Sequence, residues 1–227
     1  MRVAVIQFPG SNCDADTVRS ARDAGADAYL VWHRASDLKG ADAVIIPGGF
    51  AYGDHLRAGA IARFSPVMKE VTELAGQGAP VLGICNGFQV LCEAGLLPGA
   101  LMRNAQSRFL SRPVTVRVET TVTPFTSAYE KGAIFRVPIA HGEGRFVADE
   151  ATLEALESDD RVVMRYVGEN PNGSVNDIAG VTNERRNVVG MMPHPERAAD
   201  PRVGETEGLK VFRSMLQSME LPKGGSR

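Results

Sequence analysis

The chain has 227 residues, 44% of them hydrophobic, enough to hide about 70–75% of the unfolded surface and build a core without covalent or metal staples. Its 25 Lys and Arg against 27 Asp and Glu leave a net charge of -2 with no long basic block, so it lacks the electrostatic footprint of a nucleic-acid binder. Cys13, Cys85 and Cys92 form neither a metal-like cluster nor a complete disulfide set, the apolar opening stops early at Pro9-Gly10, and no stretch is long enough to span a bilayer; a soluble cytoplasmic protein is expected.

Arg2 to Phe8 reads as a first strand, followed by a loop in which Ser11 and Asp14 stand at capping-box spacing, with Asp in place of Glu. A helix to about Ala24 is stopped by Gly25, and Ala28 to Trp32 forms a second strand, so the chain opens as a βαβ unit. Val44 to Ile46 is a short, continuously apolar strand, as expected where helices cover both faces of a parallel sheet. It ends in Pro47-Gly48-Gly49-Phe50, and helical patterning runs from about Ala60, interrupted near Pro66, to Ala75. Pro80 to Ile84 is the fourth strand; it delivers Cys85, and a helix from Gly87 to about Ala94 closes at Gly95.

Beyond Pro98 the period changes, and Val114 to Val118 alternates apolar and polar residues in the manner of a sheet with one wet face. Further strands are expected at Ile134 to Ala140, Val162 to Val167, Ile178 to Thr182 and Val188 to Met192, with a short helix near Leu153 to Leu156 and a terminal one from Glu207 to Met219. The expectation is one α/β domain over residues 1–221 with a central, mainly parallel sheet and additional antiparallel strands in the second half. Residues 222–227 are expected to fray.

The chemistry concentrates in Val81 to Gln89, where an apolar run ends abruptly in Cys85, with glycines two residues before and after it. This is the pattern of a strand, a sharp turn and a helix, as in a nucleophile elbow. The unpaired N–H groups and dipole of the following helix favour a thiolate; the plain alternative is a core cysteine. An activated cysteine needs a base, and the base an orienter. His194 lies between Pro193 and Pro195, which bias it to extended geometry, and alternate residues of an extended segment point the same way, so Glu196 can reach the imidazole. Negative charge on the attacked oxygen needs N–H donors. The backbone of Asn86 is one, and Gly49, in the Gly48-Gly49 pair after the third strand, is suited to be the other. Together these specify acyl transfer through a thioester.

These residues resemble the class I, or triad, glutamine amidotransferases, whose elbow reads Gly-x-Cys-x-Gly-x-Gln, here Gly83 to Gln89, and whose later His-x-Glu is here His194-Pro195-Glu196. The segments Gly10 to Asp14, Gly48 to Asp54, Arg103-Asn104 with Phe109, and Ala140 to Arg145 extend the likeness over nearly the whole chain; one departure is His55, where an aromatic residue is expected. The resemblance implies a flavodoxin-like α/β fold with Cys85 as nucleophile, His194 as general base and later acid, and Glu196 as orienter. It places Gly49 and Asn86 in the oxyanion hole and Gly48, Gln89, His141 and Glu143 at the glutamine. Glutamine would be hydrolysed to glutamate and ammonia, with no cofactor or metal in this chain. The ammonia would pass to a large synthetase subunit, which carries ATP and magnesium and is accompanied by a small bridging subunit.

Two rivals stand beside this reading. A DJ-1 or PfpI-like cysteine hydrolase shares the strand-borne cysteine, but there histidine commonly follows it directly, where Asn86 stands here. A non-catalytic regulatory module of the same fold is the other. Cys92 is expected in the core, Arg185-Arg186 in a solvated turn, and His33 and Asp54 in surface or loop structure; Cys13 and His55 carry no role that chemistry supplies.

Overall fold

A computed structural model describes residues 1–220, so the expected frayed tail at 222–227 lies outside the described residues. The first unit is β1 (Arg2–Gln7), α1 (Asp14–Ala24) and β2 (Asp27–Trp32), with Gly25 in the left-handed region ending α1 as anticipated. The capping box does not form. Cys13 occupies the cap without a side-chain bond, and Ser11 Oγ instead accepts from Phe8 N–H at 3.0 Å. β3 (Ala43–Ile46) is followed by 3-10 turns at Ala51–Asp54 and Ala62–Phe64, then α2 (Val67–Gly76), so Pro66 starts the helix rather than interrupting one. β4 (Val81–Ile84) leads into α3 (Asn86–Glu93).

The second half holds β5 (Ala100–Met102), β6 (Leu110–Val118), β7 (Ile134–His141), β8 (Arg145–Val147), α4 (Glu150–Ser158), β9 (Val162–Tyr166), β10 (Ile178–Thr182), β11 (Val188–Met191) and α5 (Leu209–Glu220). β5 and β8 were not anticipated; three residues each, they pair only with one another, too short for a period to show.

Nine strands form one sheet in the order β2-β1-β3-β4-β11-β10-β9-β6-β7. The first five are parallel to their neighbours and the rest join antiparallel. β1, β3, β4 and β11 are buried almost end to end, which explains their unbroken apolar runs. β7 and the Val114 to Val118 part of β6 alternate buried with more accessible residues. α5 returns against α1 on one face. No helix of the described residues is long and apolar enough to cross a membrane.

Candidate active site

Three neighbouring strands end together. Parallel pairing sets Ile46 beside Gly83, and Met191 beside Ile84, while Cys85 N–H donates to Met191 O at 2.8 Å. The residues that follow β3, β4 and β11 are therefore Gly48-Gly49, Cys85 and His194, brought together from three distant stretches of sequence at the carboxyl ends of the strands, where α/β sheets place their sites.

Cys85 itself takes the strained conformation, at φ 50° and ψ -103°, directly before α3. Non-glycine residues seldom adopt it, and the surrounding packing must hold it. The flanking glycines serve that packing. A Cβ on Gly87 would lie 2.0 Å from Ile46 O, and one on Gly83 would meet the Gly87 carbonyl at 2.7 Å, so α3 can sit against β3 and β4 only with hydrogen at both positions. The sequence reading attributed both to relief of the turn; close approach is the operative reason.

His194 and Glu196 are each 1% exposed, and His194 Nδ1 lies 2.6 Å from Glu196 Oε1. The segment is not extended throughout as expected. His194 is followed by a 3-10 turn, Pro195–Arg197, which folds the carboxylate back onto the ring. Burial opposes charge on the imidazole, but Glu196 and then the sulfurs of Cys85 and Cys13 outweigh it and push its pKa well up. Its Nε2 is buried and without a hydrogen-bond partner among the described residues. The ring lies on Gly48, where a Cβ would stand 2.6 Å from its Cε1.

Cys13 shares this seat. Its sulfur would be 3.2 Å from the same Cβ and receives a bond from Arg197 Nη2 at 3.0 Å. Cys13, His194 and Glu196 thus place a sulfur, a nitrogen and an oxygen within 4.8 Å of one another. The 2.6 Å separation within the His-Glu pair and the guanidinium on the sulfur make this a hydrogen-bonded cluster; two ligands of one ion stand farther apart.

A cavity of about 280 Å³ opens beside Cys85. Gly49, Gln89, His141 and Glu143 line it, whereas Gly48 does not, being occupied under the imidazole. Gly49 faces Ser11 in an isolated bridge whose hydrogen bonds run between the flanking residues, from Phe50 N–H to Gly10 O and Asn12 N–H to Gly48 O. In such a non-hydrogen-bonded pair the N–H points away from the partner strand. The Asn86 side chain ties the elbow to this loop: Oδ1 accepts from Ala51 N–H at 3.0 Å, and Nδ2 donates to Gln89 Oε1 at 2.9 Å. Gln89 Nε2 in turn donates to Glu143 O at 2.6 Å.

His141 is held by Asn104, which sequence reasoning placed in a motif without a role. Asn104 Nδ2 donates to the carbonyls of Arg108 and His141, and its Oδ1 accepts from Gly144 N–H at 3.0 Å. That oxygen also lies 3.1 Å from His141 Nδ1, which must therefore carry the proton. Burial, then the charge of His194, lowers the His141 pKa to about 4. The ring is neutral, and its Nε2 is a buried acceptor with no donor among the described residues.

Asp54, Arg103 and Arg108 also line the cavity. Burial and then Glu143 raise the Asp54 carboxyl to about 6. Asp54 ends the Gly48 to Asp54 stretch of the family likeness without a role of its own; it reaches the cavity in a loop where Tyr52 and Asp54 both adopt positive φ. Tyr52 is held by His33, whose Nδ1 lies 2.7 Å from its hydroxyl, so His33 is a buried brace for this loop and not a surface residue. His55 is exposed, and Cys92 packs partly buried against the core.

A strained cysteine after one parallel strand, with a buried His-Glu pair after the next, is the architecture of a class I glutamine amidotransferase. The CobB/CobQ-like glutamine amidotransferase domain family matches residues 1–211, and the chain belongs to it. It is 60% identical over 216 residues to the phosphoribosylformylglycinamidine synthase subunit PurQ of Rubrobacter xylanophilus, covering 95% of this chain and 98% of the relative. A chain in the structure of PurLQS from Thermotoga maritima superposes with a TM-score of 0.88 at 43% identity, over 96% of this chain and 98% of that one. A glutamine amidotransferase from the same organism shares the fold at a TM-score of 0.61 and 18% identity, over 98% and 99% of the two chains. The family match sets aside the DJ-1 and PfpI-like alternative.

Proposed function

We propose that this chain is the glutaminase subunit of a phosphoribosylformylglycinamidine synthase, hydrolysing glutamine and supplying the ammonia for de novo purine biosynthesis. Cys85 Sγ attacks the side-chain amide carbon of glutamine. The N–H groups of Gly49 and Asn86 stabilise the oxyanion, and His194, oriented by Glu196, gives its proton to the departing nitrogen as the C–N bond breaks. Water then attacks the thioester, His194 takes its proton, and the C–S bond breaks to release glutamate. The observation that carries this reading is the 2.6 Å His194–Glu196 pair on the strand next to the Cys85 elbow, in a chain 60% identical to a PurQ subunit.

The cavity suits a free amino acid. At about 280 Å³ it falls below the range of about 300–1,000 Å³ for drug-sized ligands. Its wall carries two carboxylates, Asp54 and Glu143, and two guanidinium groups, Arg103 and Arg108, one pair for each end of a zwitterion. Gln89 and the bare Nε2 of His141 are the neutral partners for the rest of glutamine. Gly48 serves indirectly, by seating the imidazole.

Residues 1–221 form a single domain in this reading, supported by one sheet whose strands run from residue 2 to residue 191. The protein acts in the cytoplasm with a large synthetase subunit of the PurL kind, which holds ATP, magnesium and formylglycinamide ribonucleotide, and a small bridging subunit of the PurS kind. Direct transfer is needed because free ammonia is largely protonated, and so not nucleophilic, at neutral pH. Cys85→Ala tests the assignment: the assembled complex should lose glutamine-dependent synthesis and keep synthesis from added ammonia. Equal loss of both would make Cys85 structural, and an unaltered chain that yields no glutamate even within the complex would leave a regulatory module.

A further inference from the structure

His194 does not line the cavity that holds Cys85. It faces a second one, of about 220 Å³, walled also by Cys13, Ser111 and Arg197. The two cavities share Gly49, Phe50, Phe109 and Ala140, and Ala140 O lies 3.6 Å from Cys85 Sγ, so they meet beside the reacting sulfur. The thiol and the base of one reaction thus open onto different spaces.

We propose that the second cavity is the amine-and-water site of the reaction: it receives the nitrogen that glutamine loses and admits the water that replaces it, while the first cavity holds the rest of the amino acid. The inference rests on the glutaminase reading and adds a division of labour to it. One imidazole must protonate the leaving nitrogen and later deprotonate the attacking water. Both atoms therefore pass through the same position beside His194 Nε2, which is buried and unpartnered among the described residues. In the first step the Sγ–C bond forms and the C–N bond breaks, with nitrogen leaving as neutral ammonia. In the second the O–C bond forms, the proton returns to His194, and sulfur leaves as thiolate.

The wall chemistry fits small neutral guests. Arg197 repels an ammonium ion, while Cys13 accepts from the guanidinium and keeps it against the wall. Ser111 is exposed on β6 and pairs directly with Ala140 on β7, so the wall of the second cavity reaches the surface at a residue that does not line the first.

Hydroxylamine is a direct probe, because it competes with water for the thioester and gives γ-glutamyl hydroxamate. Ser111→Leu, at an exposed strand position that tolerates an apolar side chain, intrudes on the second cavity only. It should lower the ratio of hydroxamate to glutamate by roughly ten-fold, the scale on which a pocket discriminates small added bulk, with KM for glutamine unchanged. Ser111→Thr should stay near the wild-type ratio. An unchanged ratio in a folded, active Ser111→Leu protein, or a raised KM for glutamine in its place, overturns the inference and brings the amine through the substrate mouth. No glutamate from the unaltered chain, alone or in its complex, overturns the glutaminase reading and this inference with it.

Discussion

The parallel half of the sheet and the antiparallel half divide the site between them. β3, β4 and β11 end side by side and deliver Gly48-Gly49, Cys85 and His194, all buried except the half-buried Gly49 and held by backbone packing. β7 of the antiparallel half and the turn after it deliver Ala140 to Glu143, and the β5–β6 connection delivers Asn104 and Arg108, held by side-chain hydrogen bonds. In the proposed reading the reacting atoms sit on the rigid part, and His141, Glu143, Arg103 and Arg108 sit on the part fastened by a few polar contacts, while Gln89 and Asp54 face the same cavity from the parallel half. A parallel sheet buried on both faces allows little relaxation, whereas a loop clamped by one asparagine can be loosened without disturbing the chemistry.

Substitutions can break that contrast, and the largest effect belongs to the rigid side. His194→Ala should lower kcat by roughly 10⁴-fold, and Glu196→Gln, which keeps the base but loosens its orientation, by nearer 10²; both should leave KM close to wild type in steady-state glutaminase assays. A His194→Ala protein as active as wild type would remove the triad. On the other side, Asn104→Ala leaves His141 Nδ1 and Gly144 N–H without their acceptor, at a cost of about 1–3 kcal/mol. It should act mainly on KM, and an equal loss in kcat would erase the distinction between the halves.

The smallest effect is the sharpest in pH. Asp54 is held up at about 6, so it is mostly neutral at pH 5 and mostly ionised at pH 7. If it faces the α-ammonium of glutamine, KM falls as pH rises through this window, and Asp54→Asn makes the profile flat. His141, at about 4, titrates below the window, and the His194 pKa is pushed upward, away from it. A slope that persists in Asp54→Asn would move the effect to Glu143 or another group.

The same contrast governs what could be read in advance. β1, β3, β4 and β11 announce themselves as unbroken apolar runs, and the residues just past their ends include the elbow and the His-x-Glu pair. In the antiparallel half the strands were found but their partners were not, and β5 and β8 escaped because three residues carry no period. Asn104 has no local signal, since its work is to join carbonyls of residues far apart in the chain. Asp54 and Arg197 are ordinary loop charges until positive backbone angles and a 3-10 turn aim them.

By itself, then, the sequence determined the elements, the nucleophile elbow and the pairing of His194 with Glu196, because each depends on residues within a few positions of one another. Only the tertiary structure decided that β11 lies beside β4, more than a hundred residues earlier, which brings base to thiol. It also decided that Gly48 seats a ring and does not line the substrate cavity, that Cys13 meets Arg197, and that thiol and base open onto separate spaces. These are contacts between distant segments, set by which strand ends share an edge, and no local pattern of residues encodes them.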